Sequence, residues 1–232
     1  MKKLRLIMTV RKDLGIIFLI SLVFVIMIDL WLINIPEKFE RGYELGQFFY
    51  KLGMSYISAF IFYFLVIHIK QQKDKENLYS YVSKKVYMII GSATGLISEL
   101  AKCSKTQLSS KYPSSLELSL ISERINPNTK APLLDHLGNY SNWIQYFDYS
   151  KQESNEATEK IFKKIAFLDA ELVNLIANIE DCSHFIVIKS IVGSKNIENQ
   201  NIKFIESSLS DYFELIKKLE LYADKELSQY IE

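Results

Sequence analysis

Reactive and punctuating residues are scarce in this chain. Only two cysteines, Cys103 and Cys182, occur in 232 residues, far apart and without a CxxC partner. That excludes a disulfide-stapled scaffold and leaves two reduced, structural thiols. His68, His136 and His184 are scattered, with no HExxH and no Cys/His cluster at zinc spacing. No GxxxxGK[ST], GxGxxG or GxSxG is present, so the common phosphate-binding and nucleophile-elbow signatures are missing. Gly91-Ser92-Ala93-Thr94-Gly95 has the look of a phosphate loop but lies inside a helical pattern without a preceding strand. The neighbouring Asp135 and His136 read as a cap or surface pair. These absences predict a protein that is not an enzyme and holds no cofactor or metal.

Charge is the next thing missing, in two places. Leu14–Ile35 carries one charged residue, Asp29, and Gly46–Ile69 carries Lys51, with His68 near its far end. At about 1.5 Å per residue each run reaches the roughly 30 Å of a bilayer's hydrocarbon. Apolar residues on every face point to lipid as the surroundings. The pair therefore predicts a transmembrane hairpin, with spans at 14–35 and 46–69 and an outer loop at 36–45. The first run is longer than a signal-peptide core, and Trp31, Asn34 and Pro36 stand where a small-residue cleavage site would follow. An uncleaved anchor is expected.

Basic residues flank this hairpin. Residues 1–13 hold Lys2, Lys3, Arg5, Arg11 and Lys12 against Asp13; residues 70–85 hold Lys70, Lys73, Lys75, Lys84 and Lys85 against Asp74 and Glu76. The loop has Lys38 and Arg41 balanced by Glu37, Glu40 and Glu44. The positive-inside rule then predicts a multi-pass protein of the bacterial inner membrane with both termini cytoplasmic. Lys2, Lys3, Arg5, Arg11, Lys12, Lys70, Lys73 and Lys75 are the candidate contacts to anionic lipid. Beyond residue 85, fifteen Lys/Arg meet twenty Asp/Glu. That acidic balance argues against direct, nonspecific nucleic-acid binding.

Within the spans, Asp29 and Lys51 come at similar depth in an antiparallel hairpin. Three readings stay open: an ion pair locking the helices, Lys51 snorkelling to headgroups, or a polar lining shared by several assembled copies. Gly53, Ser55, Ser58 and Ala59, with Gly46, supply small residues for close helix contact, and Ser55 with Ala59 forms a small-xxx-small pair. Homo-oligomerisation is the expectation that follows.

The remainder, 70–232, reads as one cytoplasmic helical domain. Leu78, Val82, Val86, Ile89, Ala93, Leu96, Leu100 and Cys103 recur at helical spacing, and a break near residue 70 stays open. Ser114 with Glu117 makes a capping box for a short helix supported by Leu116, Leu120, Ile121 and Ile125; alternation of Leu116, Leu118 and Leu120 also permits a strand. A helix is expected over 133–149. A longer one is expected near 155–192, on the seam Ile161, Ile165, Leu168, Leu172, Leu175 and Ile179. A last helix covers 202–230. The predicted fold class is all-α: an N-terminal two-helix transmembrane hairpin followed by a cytoplasmic helical bundle.

This layout, with RGYELGQFFYKLGMSYISAFIFYFLVIHIK at 41–70 and a helical tail behind it, resembles the two-transmembrane effectors of bacterial anti-phage systems, particularly those encoded beside retron reverse transcriptases. The resemblance transfers no catalytic residue. It implies a toxic membrane protein held silent by a cytoplasmic complex of reverse transcriptase with noncoding RNA, then released to disrupt the membrane. The competing expectation is a passive tether or scaffold whose helical domain docks a cytosolic protein. A signalling receptor is the weakest of the three, because the outer loop is too short for a sensory domain.

Overall fold

The computed structural model describes residues 10–31, 41–134, 138–193 and 197–231. The chain is mostly helical and divides into two compact units, Met1–Asn77 and Leu78–Glu232. The two units meet at Asn77 and Leu78, eight residues beyond Ile69, where the apolar run ends. Residues 73–77 are solvent-exposed, and core contacts begin only at Leu78 and Tyr79.

In the first unit, α1 (Lys12–Leu30) and α2 (Gly42–Phe62) pack against each other. The polypeptide continues from α2 through a π-helical turn, Tyr63–His68, directly into α3 (Ile69–Ser104). No break occurs near residue 70. Both α1 and the apolar part of the run Gly42–Ser104 are long and apolar enough to cross a membrane. Of α1, only Val25 and Ile28 are buried. Lys2, Lys3 and Arg5, and residues 36–40 of the expected outer loop, lie outside the described residues, while the rest of that loop already belongs to the start of α2.

The second unit closes its own core. Along α3 the expected seam is buried from Val82 through Val86, Ile89, Ala93 and Leu96 to Leu100, whereas Cys103 is exposed. Gly91 and Gly95 lie on the exposed side of an uninterrupted helix, with open space where a Cβ would stand, so they serve no close packing. The short helix α4 (Ser115–Arg124) starts from the Ser114–Glu117 capping box, in which each side chain takes the other's backbone N–H. It is a helix and not a strand, and the expected face is turned inward in part: Ile121 and Ile125 are buried together with Leu118, while Leu116 is 78% exposed and Leu120 is exposed as well.

The helix expected over 133–149 is not formed as such. An antiparallel two-stranded ribbon, β1 (Lys130–Leu134) with β2 (Tyr140–Asn142), occupies its first part, and α5 (Trp143–Phe162) begins only after it. Pro132 lacks an N–H for a helix, Gly138 takes φ +80°, and Asn142 caps α5 through a box with Gln145. Asp135 and His136 lie outside the described residues. The fold is thus helical with one small ribbon.

The long helix expected near 155–192 is three helices: the end of α5, then α6 (Ala170–Glu180) and α7 (Ser183–Ile191). A 3-10 turn, Ile165–Phe167, separates the first two. The seam fails at this point, with Ile161 and Leu172 fully buried but Ile165 half exposed. Asp169 restarts the helix by accepting the Leu172 N–H, an N-cap that ends any continuous rod. The closing helical run, α8 (Glu206–Tyr222) with short π and 3-10 turns to Tyr230, packs on α4, α6 and α7.

Candidate functional site

The α1–α2 contact is organised by one glycine. A Cβ at Gly53 would stand 2.8 Å from Val25 Cγ2, so only hydrogen fits there. The rings of Phe18 and Phe60 stack at 4.4 Å between centroids, and the Tyr56 hydroxyl donates to the Leu14 carbonyl at 3.1 Å. These contacts fix an antiparallel register in which residues 25 and 53 are level. Of the expected packing residues, Gly53 serves this contact; Ser55, Ser58 and Ala59 are exposed on the outside of α2.

Asp29 and Lys51 are both exposed and form no ion pair with each other. The reason is angular. At about 100° per residue, Lys51 lies roughly 200° round the helix from Gly53 and therefore points away from α1. Both charges come out on the surface of an otherwise apolar pair. Among the basic flanking residues, Arg11 pairs with Asp13 at 2.7 Å, and Lys12, Lys70, Lys73 and Lys75 are exposed.

The second unit contains polar chemistry that reading the sequence missed. His184 on α7 is buried between Tyr212, stacked at 5.4 Å, and Phe147, edge-on at 5.6 Å. Its Nδ1 has no hydrogen-bond partner. Burial, aided by the charge of Lys151, pushes its pKa down to about 3, so the ring is neutral. Close by, the Ser92 and Ser150 hydroxyls lie 3.0 Å apart, and the Ser154 hydroxyl reaches that of Tyr212 at 3.5 Å. We read His184 as a packed core ring, neutral and held between two aromatic faces.

A second cluster joins three elements through one carboxylate. Asp169 accepts from the Tyr222 hydroxyl at 2.5 Å and from the Tyr79 hydroxyl at 3.3 Å, while capping α6. Burial disfavours the charged form, but these hydrogen bonds outweigh it and hold Asp169 below the usual carboxylate range. Similar tyrosine–carboxylate bonds join Tyr87 to Asp224 at 3.0 Å and Tyr112 to Glu220 at 2.9 Å, with Lys111 also paired to Glu220. The signal for Asp169 was present as an Asp three residues before a buried Leu, but the apparent seam across it concealed the cap.

A shallow groove of about 550 Å³ lies along the end of α3, between Thr94, Ile97, Lys105, Thr106 and Lys111. Of its lysines, Lys102 is engaged by Glu99 and Lys111 by Glu220. Among the described residues no group of three His, Cys, Asp or Glu is placed to hold a metal ion. The chain matches no family model, no curated protein and no solved structure.

Proposed function

We propose that this chain is a non-enzymatic inner-membrane effector of anti-phage defence. Its two apolar helices cross the bilayer as a hairpin with both termini cytoplasmic, and several copies assemble to disrupt the membrane. The cytoplasmic helical domain holds the inhibitory partner complex, such as a reverse transcriptase with noncoding RNA, until infection releases it. One observation carries the reading: Asp29 and Lys51 stand exposed and mutually unpaired on an apolar helix pair. A lone charge within hydrocarbon costs about 2–3 kcal/mol on insertion scales. Contact between copies, Asp29 of one against Lys51 of another, removes that penalty and gathers a polar lining that one hairpin cannot enclose.

The test is membrane potential on induced expression, with fractionation as control and with phage challenge. The parent depolarises cells. Asp29→Leu with Lys51→Leu still fractionates with membranes but no longer depolarises. Full depolarisation by that double variant would remove these charges from the mechanism. A parent that never depolarises cells, even under challenge, leaves the passive tether. The tether reading has its own support in the closed core of residues 78–231, which needs no further chain to be complete.

A further inference from the structure

We propose that the face of α2 turned away from α1 lines an ion conduit formed by several copies, with Lys51, Ser55 and Ser58 as its wetted side chains. The proposal rests on the effector reading above and names the surface and the solutes behind it. Across residues 14–30 and 46–67 the exposed polar side chains are Asp29, Lys51, Ser55 and Ser58, and every other exposed residue is apolar. Those on α2 share one stripe. Counting about 100° per residue from Gly53, which meets α1, Lys51 falls at roughly 160°, Ser55 at roughly 200° and Ser58 at roughly 140°. They fill an arc about 60° wide, opposite α1, over about 10 Å of helix.

Two observations favour water over lipid or a second helix as the cover of this stripe. First, its donors are left open. Ser83, Ser104, Ser190 and Ser208, on helices of the second unit, each donate to the carbonyl three residues back. Ser55 and Ser58 do not, and Lys51 makes no ion pair among the described residues. A hydroxyl or ammonium group without a partner is disfavoured against hydrocarbon. Second, the stripe cannot close dry on its own copy. Chains inserted in the same sense would set Lys51 beside Lys51 at equal depth, and like charges repel far more strongly there than across water. A ring of hairpins relieves both by turning these faces towards a shared aqueous centre.

Asp29 sets the charge of that centre. With residues 25 and 53 level, it comes within about 3 Å of the height of Lys51. A neighbouring copy therefore supplies one carboxylate for each ammonium group. The ring carries no net charge, and the conduit passes small hydrated cations and anions alike.

The test uses the full chain, induced in cells in a Cys103→Ser background. Ser55→Cys and Ser58→Cys are treated with a small, membrane-impermeant methanethiosulfonate. The comparison is Val23→Cys on α1, at a side chain 64% exposed on the far side of the pair. While cells depolarise, positions 55 and 58 react about tenfold or more faster than 23, because a thiol ionises in water and not in hydrocarbon. A second measurement takes the full chain into planar bilayers under a potassium chloride gradient. Asp29→Asn moves the reversal potential towards anions and Lys51→Gln towards cations, each changing the permeability ratio about fivefold. Depolarised cells in which 55 and 58 react as slowly as 23 overturn the lining and leave the effector reading intact. Fast, equal reaction at all three positions means general bilayer disruption without a lined conduit, and also overturns it. Reversal potentials that neither variant moves place both charges outside the conduit and overturn it as well. A parent that never depolarises cells fails the effector reading, and the lining with it.

Discussion

At the residue scale, two positions are decided by what surrounds them. Gly53 has no room for a methyl group against Val25. Gly53→Val therefore pushes α1 and α2 apart, at about 1–3 kcal/mol for overpacking. The measurement is the disulfide yield of Phe18→Cys with Phe60→Cys, which falls with Gly53→Val and recovers when Val25→Ala is added. An unchanged yield in the single variant would mean that the contact is elsewhere. His184 makes a pH prediction. Its folded pKa is depressed to about 3, against an ordinary value of 6.5, so the unfolded chain takes up a proton that the folded one refuses. The associated stability is complete above pH 6.5 and is lost as pH falls towards 3, at up to about 1.4 kcal/mol per unit. Melting of the parent between pH 7 and pH 4.5 should show this slope, and His184→Phe should flatten it. Equal slopes would place the acid sensitivity in other groups.

At the element scale, the break between α5 and α6 is held by Asp169. Removing its carboxylate as Asp169→Ala takes away the α6 cap and the acceptor of the Tyr79 and Tyr222 hydroxyls. A loss of about 3 kcal/mol is expected. Asp169→Asn keeps a capping oxygen and should lose about half of that. Denaturant unfolding of the two variants checks the order, and equal losses would assign the effect to the charge that the phenols bond and not to the cap. The start of α4 is simpler. Ser114→Ala removes the acceptor for the Glu117 N–H and should cost about 1 kcal/mol, read from amide exchange within Ser115–Arg124.

At the scale of the whole molecule, the proposed hairpin makes a prediction of topology. A reporter fused at Glu44 should face the periplasm, and reporters at either terminus the cytoplasm. Termini on opposite sides would sink the hairpin. Among the described residues, the buried polar side chains of the helical unit are a neutral histidine and hydroxyls, and the carboxylate Asp169 joins helices to one another.

Some of this was legible in the residues, and the physics says which part. Two helices long and apolar enough to cross a membrane follow from composition alone, because length and low polarity belong to the residues themselves. The α3 seam from Val82 to Leu100 and the Ser114–Glu117 box were equally readable, since spacing and capping act within a few residues of chain. Where the structure departed, a distant or weak local partner outvoted a regular pattern. Ile165 continues the seam on paper, yet Asp169 is drawn to Tyr79 and Tyr222 far along the chain, and the helix breaks there. Leu133 and Leu134 sit at helical spacing, yet a proline before them and a ribbon partner at Tyr140 make a strand. Asp29 and Lys51 match in depth, which sequence does give, but depth is not azimuth. Which way each charge faces follows from the Gly53–Val25 contact, and that contact exists only once the two helices have met.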